Sequence, residues 1–408
     1  MIRKLVTALA RWRRSWPAPV NRTIDAVMAR LPEPVALRLN PAKYGFTAAD
    51  VPAPPAAPTT PIRLYIAPVN FAGQGFRWAR AAETLPGVGA VSMQYRLEKG
   101  FDFPSDNPVP VRVFSRSQRW QRAQFEAVAS GFSHVIFEAE RPIFGALFGQ
   151  SPVREVAALR ERGVAVAMLS HGSDLRLPSR HRDLDRWSPF HDTGWELIPV
   201  LEEQALKNRA VLAEIGAPVF VSTPDLLLDW PDAHWLPVTV DPAAWSVAAP
   251  PLQRAVPRVV HAPTNAVIKG SDLIEPIVEG LADEGLIEYV RVEGVPAAQM
   301  PALYASADVV LDQFRIGNYG AAAIEAMAAG RVVIGYLHDQ VRDHVTEQTG
   351  RQVPIVQASV DSLGSVLRDI ASNPEVFRAS ARAGVEFAAA VHNGAASAAV
   401  LRPFLETP

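Results

Sequence analysis

Two series of short apolar runs, each alternating with helical segments, leave this chain few folds to adopt. The first series lies at residues 62–67, 90–93, 111–114, 134–137, 164–169 and 218–221, with helices expected at 77–85 and 153–162. The second follows at residues 258–261, 287–292, 308–311, 332–335 and 353–356. Runs with so few alternating polar positions read as strands buried on both faces of a parallel sheet, the helices forming the crossovers. At 408 residues the chain is too long for one core and suits two or three domains of roughly 100–200 residues each. The boundaries read as a helical extension over 1–50, a proline-rich linker over 51–61, one α/β domain over 62–245, a second over 246–390, and a closing helical segment over 391–408.

Charge and composition remove several function classes. A formal net charge of −2 gives no electrostatic case for nucleic acid as a partner. Cysteine is absent, which excludes disulfides, thiolate metal sites and cysteine nucleophiles and suits a reducing cytoplasm. Near the start, Ile2, Leu5, Leu9, Trp12 and Trp16 form one helical stripe among Arg3, Lys4, Arg11, Arg13 and Arg14. Two readings of residues 1–16 stand: the helix lies on an anionic membrane surface, or it packs on the protein's own body or a partner. No apolar run approaches the ~20 residues needed to span a bilayer. The expected location is therefore cytoplasmic, with peripheral attachment to the inner face of the membrane left open.

Parallel sheets bind ligands beyond the carboxyl ends of their strands, so the loops there carry the argument. Residues 308–330 read as a short strand, a turn with Gly317 and Gly320, then an alanine-rich helix carrying one acid, Glu325. The first N–H groups of a helix have no partner inside it, and glycine admits a phosphate close to them. Lys269-Gly270, after the 258–261 strand and before a helix starting near Ser271, is a second place to meet phosphate charge. In the first series, Gly73-Gln74-Gly75 follows the first strand, but it lacks the third glycine and the later acid of a dinucleotide fingerprint. A nicotinamide dehydrogenase is disfavoured accordingly. His171 and Asp174, in the Ser170–Asp174 loop after the 164–169 strand, are candidates to bind substrate or move a proton. His181, His191 and His234 form no pair at metal-ligand spacing, and the acids of Asp183-Leu184-Asp185 sit in a charged stretch, so no metal site is expected. There is no nucleophile elbow and no Walker loop.

Lys269-Gly270, Glu293-Gly294-Val295-Pro296, the run from Met300-Pro301 through Leu303-Tyr304 to Ala307-Asp308, and Glu325-Ala326-Met327-Ala328-Ala329-Gly330 occur in that order. This pattern resembles the second half of GT-B glycosyltransferases, in particular the family 4-like group, glycosyl transferases group 1. It covers roughly residues 258–336. The resemblance implies two Rossmann-like parallel-sheet domains facing a cleft, with the last helix, 391–405, crossing back to the first domain. It implies a nucleotide-diphosphate sugar as donor and no further cofactor or metal. It places Lys269 on the diphosphate, Glu293 and Val295 near the base, and Glu325 on the ribose hydroxyls. Backbone N–H groups of Asn318, Tyr319 and Gly320 would meet the diphosphate or sugar, and Gly73 and Gly75 would complete the site. Transfer with retention would need no strong protein nucleophile, the departing phosphate taking the acceptor's proton, with His171 orienting the sugar or acceptor. The acceptor itself leaves no signature.

Two positions depart from the family's pattern. Gly317 stands where the first of two paired glutamates belongs, with Asn318 or Asp312 as possible substitutes, and Thr264 stands where an arginine is common. The first departure also motivates another class, a GT-B protein without catalysis that serves as scaffold for an active transferase.

Overall fold

The computed structural model describes Glu33, Val35, Leu37 and residues 44–98, 100 and 103–407. The basic stripe expected at residues 1–16 lies outside the described residues. Among the described residues no helix is long and apolar enough to cross a membrane.

The first sheet consists of β1 (Ile62–Ala67), β2 (Val88–Arg96), β3 (Asn107–Pro110), β4 (His134–Glu138), β5 (Ala165–Ser170), β6 (Val219–Val221) and β7 (His234–Trp235), the last with no counterpart in the expected series. They lie in the order β3-β2-β1-β4-β5-β6-β7. The second series becomes β8 (Arg258–His261), β9 (Glu288–Arg291), β10 (Val309–Leu311), β11 (Val332–Gly335) and β12 (Val356–Gln357), in the order β12-β11-β10-β8-β9. Pairing is parallel: Leu64 lies opposite His134, and Val309 lies opposite both Val259 and Val332. The described residues fall into two compact units. One gathers the chain up to Phe76 with Gly89–Phe137 and Arg141–Val166, and the other gathers Arg77–Val88, Glu138–Glu140 and everything from Ala167. The division does not follow the two sheets, because β6 and β7 group with the whole of the second sheet.

Burial on both faces explains why the second sheet is parallel. Val259, Val309, Leu311, Val332 and Ile334 join one core with Ile274, Val278, Leu281, Leu367 and Ile370 of the crossover helices. Val260, Val310 and Val333 alternate to the opposite face and are buried as well. A strand flanked by helices on both sides cannot offer water a polar face, so these positions read as continuous apolar runs.

Two expectations change. Residues 111–114 are not a strand: Val111–Arg116 is a helix, and the strand is the preceding Asn107–Pro110. Pro108 and Pro110 lack N–H groups, which is tolerated because β3 is the edge strand. The valines that suggest a strand in isolation bury Val113 and Phe114 from a helix instead. The closing segment is likewise not one helix from residue 391. It breaks at His392–Gly394 between helices Pro374–Val391 and Ala395–Leu405, with Gly394 at φ 97°. The Phe404 ring of the last helix meets that of Phe220 on β6 at 6.2 Å between centroids.

Asp308, just before β10, is a knot of the second sheet. Its buried carboxylate accepts the Leu252 N–H at 2.6 Å and the Arg258 N–H at 2.9 Å, and pairs with Arg254 at 2.9 Å. Removing it strands two buried N–H groups together, so Asp308→Ala should lower folding stability by about 3 kcal/mol. The shift of the urea midpoint measures this, and an unchanged midpoint would show the carboxylate to be dispensable.

Candidate functional site

The turn between β10 and the helix Ala321–Ala328 is shaped by side chains that all lead away from it. Gln313, 3% exposed, braces it from within. Its amide oxygen accepts the Ile316 N–H at 2.7 Å, while its amide nitrogen donates to the carbonyls of Asn318 and, at 3.2 Å, Tyr336. Arg315 reaches Asp272 at 3.2 Å. The Ile316 carbonyl meets His181 Nε2 at 3.1 Å. The Asn318 amide donates to Asp225 at 2.6 Å, and Asp225 is gripped in turn by Arg176 through Nε at 3.0 Å and through Nη2. Tyr319 is buried, its hydroxyl 3.4 Å from His392 Nε2, and His392 Nδ1 donates to the Val238 carbonyl at 2.6 Å. Burial pushes the His392 imidazole down to about 4, so it is the neutral ring that anchors Tyr319.

With its side chains committed, the turn is left with its backbone. Among the described residues, no N–H from Asn318 to Ala323 donates to another group of the protein. These are the last turn residues and the first helical ones, where unpaired N–H groups and the helix dipole favour an anion.

Two charged side chains stand in the same domain. Lys269 closes the short helix Ala266–Lys269, which Asn265 caps by accepting the Ile268 N–H at 3.2 Å and which Gly270 ends at φ 74°. The Lys269 ammonium pairs with the buried Asp312 at the end of β10, so it is oriented yet retains further N–H donors. Behind it, His261 ends β8 with Nδ1 donating to the Leu311 carbonyl at 3.0 Å and Nε2 accepting from Ser271 Oγ at 2.8 Å. Burial lowers this histidine to about 4, which keeps that tautomer neutral and ties β8, β10 and the next helix together. Glu325 sits in the second turn of Ala321–Ala328, and no hydrogen bond to its carboxylate occurs among the described residues. Burial pushes it up to about 7, and the Arg77 guanidinium draws it back. Arg77 is a cation the sequence reading did not select.

The remaining expected residues lie on other segments. Glu293 is exposed after β9 and pairs with Arg291, while Val295 is half-buried beyond Gly294. No hydrogen bond links either to Lys269 or Glu325. His171 follows β5 with Nε2 3.4 Å from Glu138 Oε1 and its ring 5.8 Å from that of Trp78. Asp174 accepts the backbone N–H of His171 at 2.8 Å and that of Gly172, so its carboxylate shapes the loop. Gly73 ends a tight turn at φ 73°, whereas Gly75 is not a turn residue but lies inside the helix Gln74–Ala82. Both belong to the other compact unit.

Gly317 has a physical explanation. It lies at φ 72°, and a Cβ there would come within 2.0 Å of His338 Cδ2. The His338 backbone N–H donates to the Gly317 carbonyl at 2.8 Å, which fixes the two segments against each other. An acid at 317 would meet the histidine ring where its side chain begins.

Comparison with known proteins bears on the fold and on the second half of the chain. Residues 248–370 match the family described as Glycosyl transferases group 1. The chain has the GT-B fold, and the group 1 match is confined to its second half. Among solved structures, sucrose-phosphate synthase from Thermosynechococcus elongatus aligns with 13% identity over 83% of this chain and 97% of its own, at a TM-score of 0.53. HepE from Anabaena, solved with UDP and glucose, aligns with 10% identity over 84% of this chain and 98% of its own, at 0.52. At these identities the likeness is one of fold. No curated protein matches the chain. The turn, Lys269 and Glu325 all lie within the matched group 1 segment.

Two outcomes are expected from this geometry. Gly317→Ala should cost about 2 kcal/mol or more from strain and overlap, and His338→Ala in the same chain should restore part of it, leaving the positive-φ cost of about 1 kcal/mol. A double-mutant cycle in urea reads the coupling, and additive losses would deny the contact. For Glu325, the folded chain keeps a proton that the unfolded chain has lost between its ordinary value of 4.5 and about 7. Stability therefore falls as pH rises through that window. Urea midpoints near about pH 5 and about pH 8 should show a smaller fall in Glu325→Gln, and an identical fall in both proteins would contradict the assignment.

Proposed function

We propose that the protein transfers a sugar from a nucleotide-diphosphate sugar to an acceptor, and that residues 258–336 hold the donor. The observation carrying this reading is the set of unpaired N–H groups from Asn318 to Ala323 in the same domain as an oriented lysine and an open acid. A diphosphate needs several donors and a cation. The N–H groups and Lys269 supply both from the protein itself, and Glu325 suits ribose hydroxyls, which donate to a carboxylate. The GT-B likeness, including that to a protein solved with UDP and glucose, supports the same donor class.

In the transfer, the bond between the sugar's anomeric carbon and the diphosphate oxygen breaks, and the departing nucleoside diphosphate takes the electron pair. The acceptor oxygen bonds to the anomeric carbon and its proton passes to the departing phosphate, which gives retention when both events occur on one face. Fixed donors aimed at the phosphate stabilise the charge developing there and need not reorganise during the reaction. His171 orients the sugar or acceptor without forming a covalent bond.

Glycosyl transfer is tested by incubating the protein with a panel of nucleotide sugars and following release of nucleoside diphosphate, with calorimetry for binding. Lys269→Ala should weaken binding at least about tenfold, in line with loss of one charge-assisted hydrogen bond. Unchanged affinity in both Lys269→Ala and Glu325→Gln would reject the site. The missing acid at Gly317 favours a second reading, a donor-binding protein that supports an active transferase. That reading requires binding without any donor turnover or slow hydrolysis.

A further inference from the structure

We propose that His181, Asp185 and His338 bind a divalent transition-metal ion of the zinc class. One ligand atom from each side chain lies within 4.8 Å of the others. Two histidines and one carboxylate are a common donor set for such ions, and zinc accepts it readily in a chain that has no cysteine.

The key distance is between His338 Nε2 and Asp185 Oδ2, which is 3.4 Å. That is too long for a charge-assisted hydrogen bond, which closes to roughly 2.7–2.9 Å. It equals the edge between two ligands of a tetrahedral ion at about 2.0–2.1 Å from each. Asp185 is held for this position: its Oδ1 accepts the Trp187 N–H at 2.7 Å, and its side chain is 0% exposed. Its Oδ2 has no partner at full hydrogen-bond geometry among the described residues, and the Tyr336 hydroxyl and the His338 ring bear on the carboxylate from further off. A buried carboxylate oxygen left this way is costly unless something positive completes it.

His181 is already oriented, with Nδ1 2.7 Å from Ser188 Oγ and Nε2 3.1 Å from the Ile316 carbonyl. Coordination exchanges one of these bonds for the ion and keeps the other, the outer contact that fixes a ligating imidazole. Arg176 and Arg180 line the same pocket and disfavour added positive charge at His181, an effect offset in part by their pairing with Asp225 and, at 3.0 Å, Asp229. The three ligands come from the helix Pro178–Leu184, the residue after it, and the segment following β11. An ion there clamps those segments together and fixes the His338 ring against Gly317. It is a structural clamp, independent of whether the donor reading above is right.

The full chain, purified free of metal, should bind about one equivalent of Zn2+ by calorimetry, and Co2+ in its place should give the visible absorption bands of a low-coordinate site. Asp185→Asn and His338→Ala should each weaken Zn2+ at least about tenfold, with folding checked by circular dichroism. His344→Ala, at an exposed histidine hydrogen-bonded to Gln348, should bind as the parent does. The Co2+ spectrum of the unaltered chain keeps the test open if a variant fails to fold. No stoichiometric Zn2+ binding, no Co2+ bands, or binding unchanged in folded Asp185→Asn and His338→Ala would each overturn the site.

Discussion

The turn after β10 keeps its backbone N–H groups open because its side chains are held elsewhere. Gln313 satisfies three backbone groups from inside, Asn318 is drawn to Asp225, Tyr319 to His392, and the Ile316 carbonyl to His181. Each anchor removes a way for the loop to relax onto its own N–H groups. A glycine-containing turn with free side chains would fold back and satisfy its own donors, as most buried backbone does. Here the donors remain open because collapse would break several buried hydrogen bonds at once.

The same logic sets the charges around it. Lys269 is positioned by Asp312 and not neutralised into uselessness, since an ammonium has three donors and the carboxylate engages one side of it. Glu325 lies in apolar surroundings that disfavour its ionised form, with Arg77 offsetting part of that cost. A ligand that brings hydroxyl donors to this acid relieves a penalty the empty protein carries. Binding energy and local instability are thus two aspects of one arrangement.

Much of this was legible along the chain, and the illegible part has a common cause. The placement of Lys269, Glu325 and the helix start on their elements was legible because each rests on neighbours within a few residues: a strand end, a glycine, a helix beginning. The strand series was legible for the same reason, and the exception at Val111–Arg116 arose where β-branched residues were overruled by packing. Gln313, His338, Arg77 and the Arg176–Asp225 pair were not found. Gln313 acts on backbone groups three and five positions away, which no residue pattern marks, and the other partners are distant in sequence, 93 positions in the case of Asn318 and Asp225. No periodicity or spacing rule reports such a pair. His181 and Asp185 were noticed but set aside, since the third member, His338, arrives from the other sheet.

The contact between Gly317 and His338 makes two distant positions one heritable character. A side chain at 317 and the histidine ring at 338 compete for one space, so a larger residue at 317 requires the ring to move or to be replaced. A small residue at 338 makes that room, which ties the identity of the turn to a loop beyond the next strand. Among relatives, the side chain at 338 should therefore forecast whether the turn carries an acid, more reliably than the turn's own flanking residues do.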